Sequence, residues 1–246
     1  MGDEVQAPLP YIQETVLKKR KSSEEWAIRR RQQLEDRKWK IKANKQLTFK
    51  RAEQYIKEFR GKELDLVRMK YRARKFRAVP GKLNSQLLFV IRIQGKFEVH
   101  SVTKKILYSL GLGKLFTGVF LEANEGNLAK LQRVEPYVTY GYPNFKNVRD
   151  LIFKKGIAQI NREKVPLTNN LIIEQELGKY DIISIEDIVH QMATVGPHFK
   201  EVTKFLCPFN LSKPASGLQG IKNRFKDGGD SGNREEKINE LIDKMN

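Results

Sequence analysis

The stretch Tyr108–Phe120, "YSLGLGKLFTGVF", sets three glycines and a lysine so close together that it can be read as a loop cradling a phosphate. Chain polarity decides the matter, and with it the fold. A dinucleotide fingerprint needs its glycines directly after a strand and opening a helix, so that the helix N-terminus meets the pyrophosphate. Here the preceding "SVTKKILYSL" places Val102, Ile106 and Leu110 at helical spacing behind a Ser101 cap, whereas the following "TGVFLEAN" reads as a strand. The glycines therefore follow a helix and offer the negative end of its dipole. A Walker loop fails as well, because Lys114 is followed by Leu115 rather than Ser or Thr. Gly111 is read as the left-handed residue that ends the helix, and Lys114 as an exposed cation on the turn.

Outward from this turn the pattern is regular. Upstream, "QLLFVIRIQG" (Gln86–Gly95) is rich in β-branched and aromatic residues and stops at a glycine, as a strand does. Downstream, "EGNLAKLQRVE" reads as a helix stopped at Pro136, and "YVTYG" (Tyr137–Gly141) as a third strand. The order β-α-β-α-β predicts an α+β domain: a small antiparallel sheet with two helices covering one face. Further helices follow. Asn144 caps "FKNVRDLIFKK", closed by Gly156; "NNLIIEQEL" is closed by Gly178; Ser184 caps "SIEDIVHQMATV", with Asp187 at the capping-box position. Between the first two, "IAQINREKVPL" reads as an exposed pair of short strands. The stretch "LSKPASGLQGIKNRFKDGGDSGN" is a loop of unusual length, and "REEKINELIDKMN" closes with Ile238, Leu241, Ile242 and Met245 on one helical face.

Ahead of the sheet lies a different kind of text. From Ser22 to Phe76 there is no proline and one glycine, Gly61, so a long helix is expected, capped at Ser22 or Ser23 and able to bend at Asn44 and Gly61. The chain carries a formal net charge of +18, and residues 18–77 hold 23 basic against 8 acidic side chains. Apolar residues on this helix keep no heptad, although Ala52, Tyr55, Ile56 and Phe59 share a face. Such an arm suits a polyanion, with Trp26, Trp39, Phe49, Tyr71 and Phe76 interleaved among the cations to meet bases. The candidate phosphate contacts are Lys18, Arg20, Arg29, Arg30, Arg31, Lys50, Arg51, Arg68, Arg72, Arg74, Lys75 and Arg77, with Trp39 and Phe76 as stacking residues. On the compact part, Lys104, Lys105 and Lys114 flank one helix and form a basic edge.

Other classes of function find little support. No apolar run approaches the length of a membrane span, and "MGDEVQAPLP" has neither a basic nor an apolar leader region, so neither secretion nor membrane insertion is expected. Gln6 departs from the myristoylation motif that Gly2 suggests. Cys207, the single cysteine, reads as a small core residue and suits a reducing compartment. His100, His190 and His198 match no metal spacing, and His190 is expected on the apolar face of its helix. Asp181, Glu186 and Asp187 are the densest acids of the compact part, the only candidates for acid-base work. No cofactor, metal or small-molecule substrate is expected.

The phrases "LLFVIRIQG", "KKILYSLGLGKLFTGVFLEAN", "VEPYVTYGYPNFKNVRDLIFKKG", "LGKYDIISIEDIVHQMATVG", "FLCPFNLS" and "GGDSGNREEKINELIDKMN", in that order, and the start "PLPYIQETVLKKRK", resemble the eukaryotic member of the L-thirty family of large-subunit ribosomal proteins. The resemblance covers nearly the whole chain. It implies ferredoxin-like character and binding of large-subunit rRNA through arm, compact domain and tail. Where the ordinary ribosomal member has a strongly basic segment before "GGD", this chain has "PASGLQGIKNRFKDGGD", which resembles the family's ribosomal-protein-like paralogue. That likeness implies a non-enzymatic, nucleolar role in large-subunit rRNA maturation and assembly. The partners implied are the precursor rRNA, neighbouring ribosomal proteins and assembly factors. The alternative is a structural constituent of the mature cytosolic large subunit. On this reading residues 1–21 form a leader, 22–80 a basic helical arm, 81–143 the β-α-β-α-β core, 144–210 a helical extension packed on it, and 211–246 the glycine-rich loop and terminal helix.

Overall fold

The computed structural model describes residues 14–46, 51–75, 86–95, 99–161, 163–214, 217–218, 220 and 223–246. Contacts divide the chain into two units, Met1–Ile56 and Lys57–Asn246. The first contains α1 (Glu14–Gln46), a helix of 33 residues. It begins eight residues before Ser22, so Ser22 and Ser23 lie inside the helix and cap nothing, and Asn44 does not interrupt it. The second long helix, α2 (Ala52–Lys75), runs straight through Gly61. One interior glycine costs a helix only about 1 kcal/mol, which packing against the domain offsets.

The compact unit is built on β1 (Leu87–Arg92), whose six residues are all buried. Its neighbours are α3 (Ser101–Ser109), β2 (Thr117–Glu122), α4 (Glu125–Arg133) and β3 (Val138–Gly141). β1 pairs antiparallel with both other strands, Phe89 opposite Phe120 on one side and Gly141 on the other. Its side chains alternate between two cores. Leu88 and Val90 pack with Leu107, Leu110 and Leu131 of the helical layer formed by α3 and α4. Leu87, Phe89 and Ile91 face the other way, into a larger core. A strand buried on both faces needs an unbroken apolar run, and "LLFVI" supplies it.

That larger core is covered by the C-terminal half: α5 (Phe145–Lys155), α6 (Asn170–Leu177), α7 (Ile185–Thr194), α8 (Phe199–Phe205) and α9 (Ile238–Met245). The expected cover on one face thus holds for α3 and α4, and the other face is closed by these five helices. A hairpin of β4 (Ile157–Ile160) and β5 (Glu163–Pro166) forms a separate two-stranded sheet, largely exposed along β5 and anchored by buried Ala158 of β4. Two strands not anticipated lie at the sheet edges: β6 (Phe209–Asn210) beside β2, and β7 (Gly232–Glu235) beside β3, in the order β6-β2-β1-β3-β7. β7 runs parallel to β3, so the sheet is mixed rather than wholly antiparallel. Gly118 is required where it stands, because a Cβ there would lie 2.3 Å from the Phe89 ring.

Several local expectations change. α3 is capped by His100, whose Nδ1 accepts from the Val102 amide at 3.2 Å, and not by Ser101. Its buried face is Thr103, Leu107 and Leu110, whereas Val102 is exposed. Gly178 closes α6 as read, but in right-handed conformation, and leads into a 3-10 turn whose left-handed end is Asp181. His190 is exposed while Ile188, Val189 and Met192 fill the apolar face. The caps at Asn144 and Ser184, the Asp187 capping box, buried Cys207 and the four buried residues of α9 stand as read.

Candidate nucleic-acid interface

Helix α1 presents charge in every direction. Lys18, Arg29, Arg30 and Arg31 are exposed, and at 100° per residue the arginine triplet fans around the axis. Trp39 is 76% exposed and Trp26 63%. The Arg29 guanidinium lies 5.6 Å from the centroid of the Trp26 ring, a cation–π arrangement that leaves both groups at the surface. Arg20 belongs to α1, but its side chain, like that of Lys75, lies outside the described residues, as do Phe49, Lys50, Phe76 and Arg77 altogether.

The docked part of α2 is governed by one buried acid. Asp65, 8% exposed, accepts from the His100 amide at 3.0 Å, from the Thr103 hydroxyl at 2.9 Å and from the Tyr137 hydroxyl at 2.7 Å. Met69, one turn on, is buried beside Thr103. Arg72 follows on the same face. Its Nε and one terminal nitrogen donate to the Arg133 carbonyl at 3.1 and 2.9 Å, and that nitrogen lies 4.0 Å from Asp65. Burial pushes the Arg72 guanidinium below its ordinary pKa, against the pull of Asp65, and an arginine so placed keeps its charge at neutral pH. The structure therefore separates Arg72 from its neighbours: it fastens α2 to the domain, while Arg51, Arg68 and Arg74 are exposed.

Lys104 and Lys105 are exposed on α3 directly after Thr103, so Asp65 brings the α3 lysines and the α2 arginines onto adjoining helices. Lys114 is exposed at the far end of α3, on a turn with its own support. α3 closes in a Schellman motif, the Leu112 amide donating to the Leu107 carbonyl at 2.9 Å and the Gly111 amide to Tyr108 at 3.0 Å, with Gly111 at φ +76°. Beneath it lies Arg92, 1% exposed. Its guanidinium donates to the carbonyls of Leu112 at 2.8 Å, Gly113 at 3.3 Å, Gln94 at 2.9 Å and Gly95 at 3.1 Å. The glycine-rich turn thus points two carbonyl oxygens at an arginine, and the segment after β1 two more, the reverse of a phosphate cradle. Thr117 adds a short bond from its hydroxyl to the Lys114 carbonyl. Sequence reasoning missed Arg92 because a charged residue at the end of an apolar strand reads as solvent-facing.

Two of the acids considered for catalysis, Asp187 and Glu186, are committed elsewhere. Asp187 accepts from the Ser184 amide and hydroxyl, bonds that hold its carboxyl below the usual range. Glu186 pairs with Arg149 at 3.0 Å. Among the described residues no group of three or more His, Cys, Asp or Glu could hold a metal ion, and no helix is long and apolar enough to cross a membrane.

Comparison with known proteins matches two successive parts of the chain. The family profile of the ribosomal L30 N-terminal domain matches residues 12–79, and that of ribosomal protein L30p/L7e matches residues 88–138. The large ribosomal subunit protein uL30z of Arabidopsis thaliana is 51% identical over the full length of both chains. The chain belongs to the ribosomal protein L30 family. The uL30 proteins of Caenorhabditis elegans and Neurospora crassa are 42% and 43% identical, each comparison covering at least 95% of both chains.

In this L30-family chain two arginines of the tail after β6 are paired within the chain. Arg224 pairs with Glu135 at 3.2 Å. Arg234 pairs with Asp230 through a short contact, donates to the Thr139 hydroxyl at 2.9 Å and lies 4.7 Å from the centre of the Phe225 ring. Nothing in residue spacing marks these partners, which the β3–β7 pairing brings together.

Proposed function

We propose that the protein binds rRNA of the precursor large ribosomal subunit and acts without catalysis in maturation and assembly of that subunit. The observation that carries the RNA-binding reading is the disposition of the cations: Arg29, Arg30, Arg31, Arg68 and Arg74 are exposed, and none forms an ion pair among the described residues. Phosphate contacts by such residues supply affinity without reading sequence. Lys18 and Arg51 in the first unit and Lys104, Lys105 and Lys114 in the compact unit are exposed as well, Trp39 offers a ring for stacking, and Arg72 positions α2. The precursor role is supported by the tail. "PASGLQGIKNRFKDGGD" carries three cations against two acids, and one of the three, Arg224, is already paired with Glu135. A weakly basic tail suits a protein that must leave its site.

The names of the relatives, all large ribosomal subunit proteins, favour a second reading, a constituent of the mature cytosolic subunit. Crosslinking in cells, read at nucleotide resolution and combined with sucrose-gradient sedimentation, separates the two. Crosslinks to precursor spacer and absence from polysomes are expected; polysome association with mature rRNA crosslinks alone would establish the second reading.

A further inference from the structure

Strand β2 is covered along only part of its outer edge. β6 pairs with it at Thr117 and Gly118 and goes no further. Two local facts stop the pairing. Pro208, just before β6, has no amide to donate, and the Cys207 amide is already given to the Ile157 carbonyl at 2.8 Å. The Ala123 amide bonds to the Gln86 carbonyl on the β1 side, and the Leu211 amide to the Phe116 carbonyl on the β6 side. Ladder bonds alternate along an antiparallel strand, so the main-chain groups of Gly118, Phe120 and Glu122 face outward. Gly118 meets Phe209, and the Glu122 carbonyl accepts from Asn124 and Asn127. The Phe120 amide and carbonyl have no partner among the described residues, although Phe120 is only 2% exposed.

Beside them lies a cleft of about 240 Å³. Leu110, Val119 and Leu121 form its wall on the α3 side, and Met192, Leu206 and Phe209 the opposite wall. Among the described residues no charged side chain lines it. A buried N–H and C=O left unpaired there are costly and call for a partner.

We infer that the cleft takes an extended peptide of another protein, which adds a strand to β2 beyond β6 and brings two successive apolar residues. Charge complementarity selects this occupant. Phosphates find no cation in the cleft, so it offers nothing to RNA. Its polar groups are the N–H and C=O of a strand edge, which another extended main chain complements while continuing the β6 pairing. Successive side chains of a strand point to opposite faces, and here both faces meet an apolar wall. The helical layers on either side leave room for a single strand, not for the sheet edge of a second folded copy. The inference goes beyond the RNA-binding reading and does not rest on it.

The test uses the full chain in cells, with a benzophenone amino acid at position 109 on the exposed rim of the cleft. Adducts formed on irradiation are identified by mass spectrometry, and the captured segment is synthesised with one N-methylated residue at a time. The expected adduct is a protein segment with two successive apolar residues. Its affinity for the unsubstituted chain should fall about fivefold or more when alternate residues are methylated, and stay within about twofold for those between. Thr203→Trp, which fills the cleft, should abolish adduct and peptide binding while affinity for purified large-subunit rRNA stays within about twofold. An RNA adduct, an adduct to a second copy or within the chain, no adduct, or a methylation series without alternation would each overturn the inference. Peptide binding that survives in a folded Thr203→Trp chain would overturn it too.

Discussion

Arg92 lies inside the sheet with no carboxylate paired to it among the described residues, its charge solvated by four backbone carbonyls. Burial lowers its pKa from the ordinary arginine value, yet the guanidinium remains charged, and its five donors suit a shell of carbonyls that no ammonium could match. Arg92→Met should cost on the order of 3 kcal/mol, because carbonyls now bonded would be left buried without donors; Arg92→Lys should recover only part. Denaturant titration of the three proteins checks this. Tyr140 offers a pH test. Burial first, then the charge of Glu135, pushes its hydroxyl up to about 12. A raised pKa means that its stabilising contribution is complete below the unfolded value near 10 and is lost as pH climbs through 12, by about 3 kcal/mol at most. Between pH 9 and 11.5 the native chain should therefore lose more stability than Tyr140→Phe, measured by chemical denaturation. At this scale the sequence spoke clearly where a residue acts on its own neighbours, as in the Ser184 cap and Gly111. It was silent for Arg92 and Asp65, whose partners lie in segments that only the fold brings near.

The helices show the same division. α9 was legible because its four buried residues are apolar and its exposed ones polar. α3 was legible as a helix, but its buried face was not, because Thr103 replaces an apolar residue there and bonds to an acid from α2. α2 hid its docking side more completely, since Asp65 and Arg72 read as surface charge in so basic a helix. Asp65→Ala would leave the Tyr137 and Thr103 hydroxyls without their acceptor and Arg72 without its counter-charge, a loss of about 3–5 kcal/mol for a buried pair. Hydrogen exchange should then show lowered protection across the docked turns of α2, while the β1–β2 amides change far less. The two long helices also call for different experiments. Removing everything before the sheet would strip Asp65 from the domain along with the cations, so substitution is the cleaner probe. Replacing Arg29, Arg30 and Arg31 by Gln should make the slope of log K against log salt shallower by about 2–3, near 0.7–0.9 per lost phosphate contact. An unchanged slope would remove the triplet from the interface.

At the scale of the whole molecule, the β-α-β-α-β order was readable because each element carries its own periodicity and punctuation. The second helical layer was partly readable, since its caps are local. The edge strands were not, because two residues at β6 and a glycine-led β7 have no strand pattern of their own and gain it only beside β2 and β3. Both edges share a property with a kinetic meaning. β6 meets β2 at Thr117 and Asn210, and β7 meets β3 at Thr139 and Gly232, each pairing joining positions 93 residues apart. Strand contacts so distant must wait until the intervening chain has been drawn in, which makes them slow to form. The three central strands, by contrast, are joined by short connections. Stopped-flow refolding should accordingly show burial around Phe89 and Phe120 before the Phe225 environment matures, so that the domain's outer strands close last.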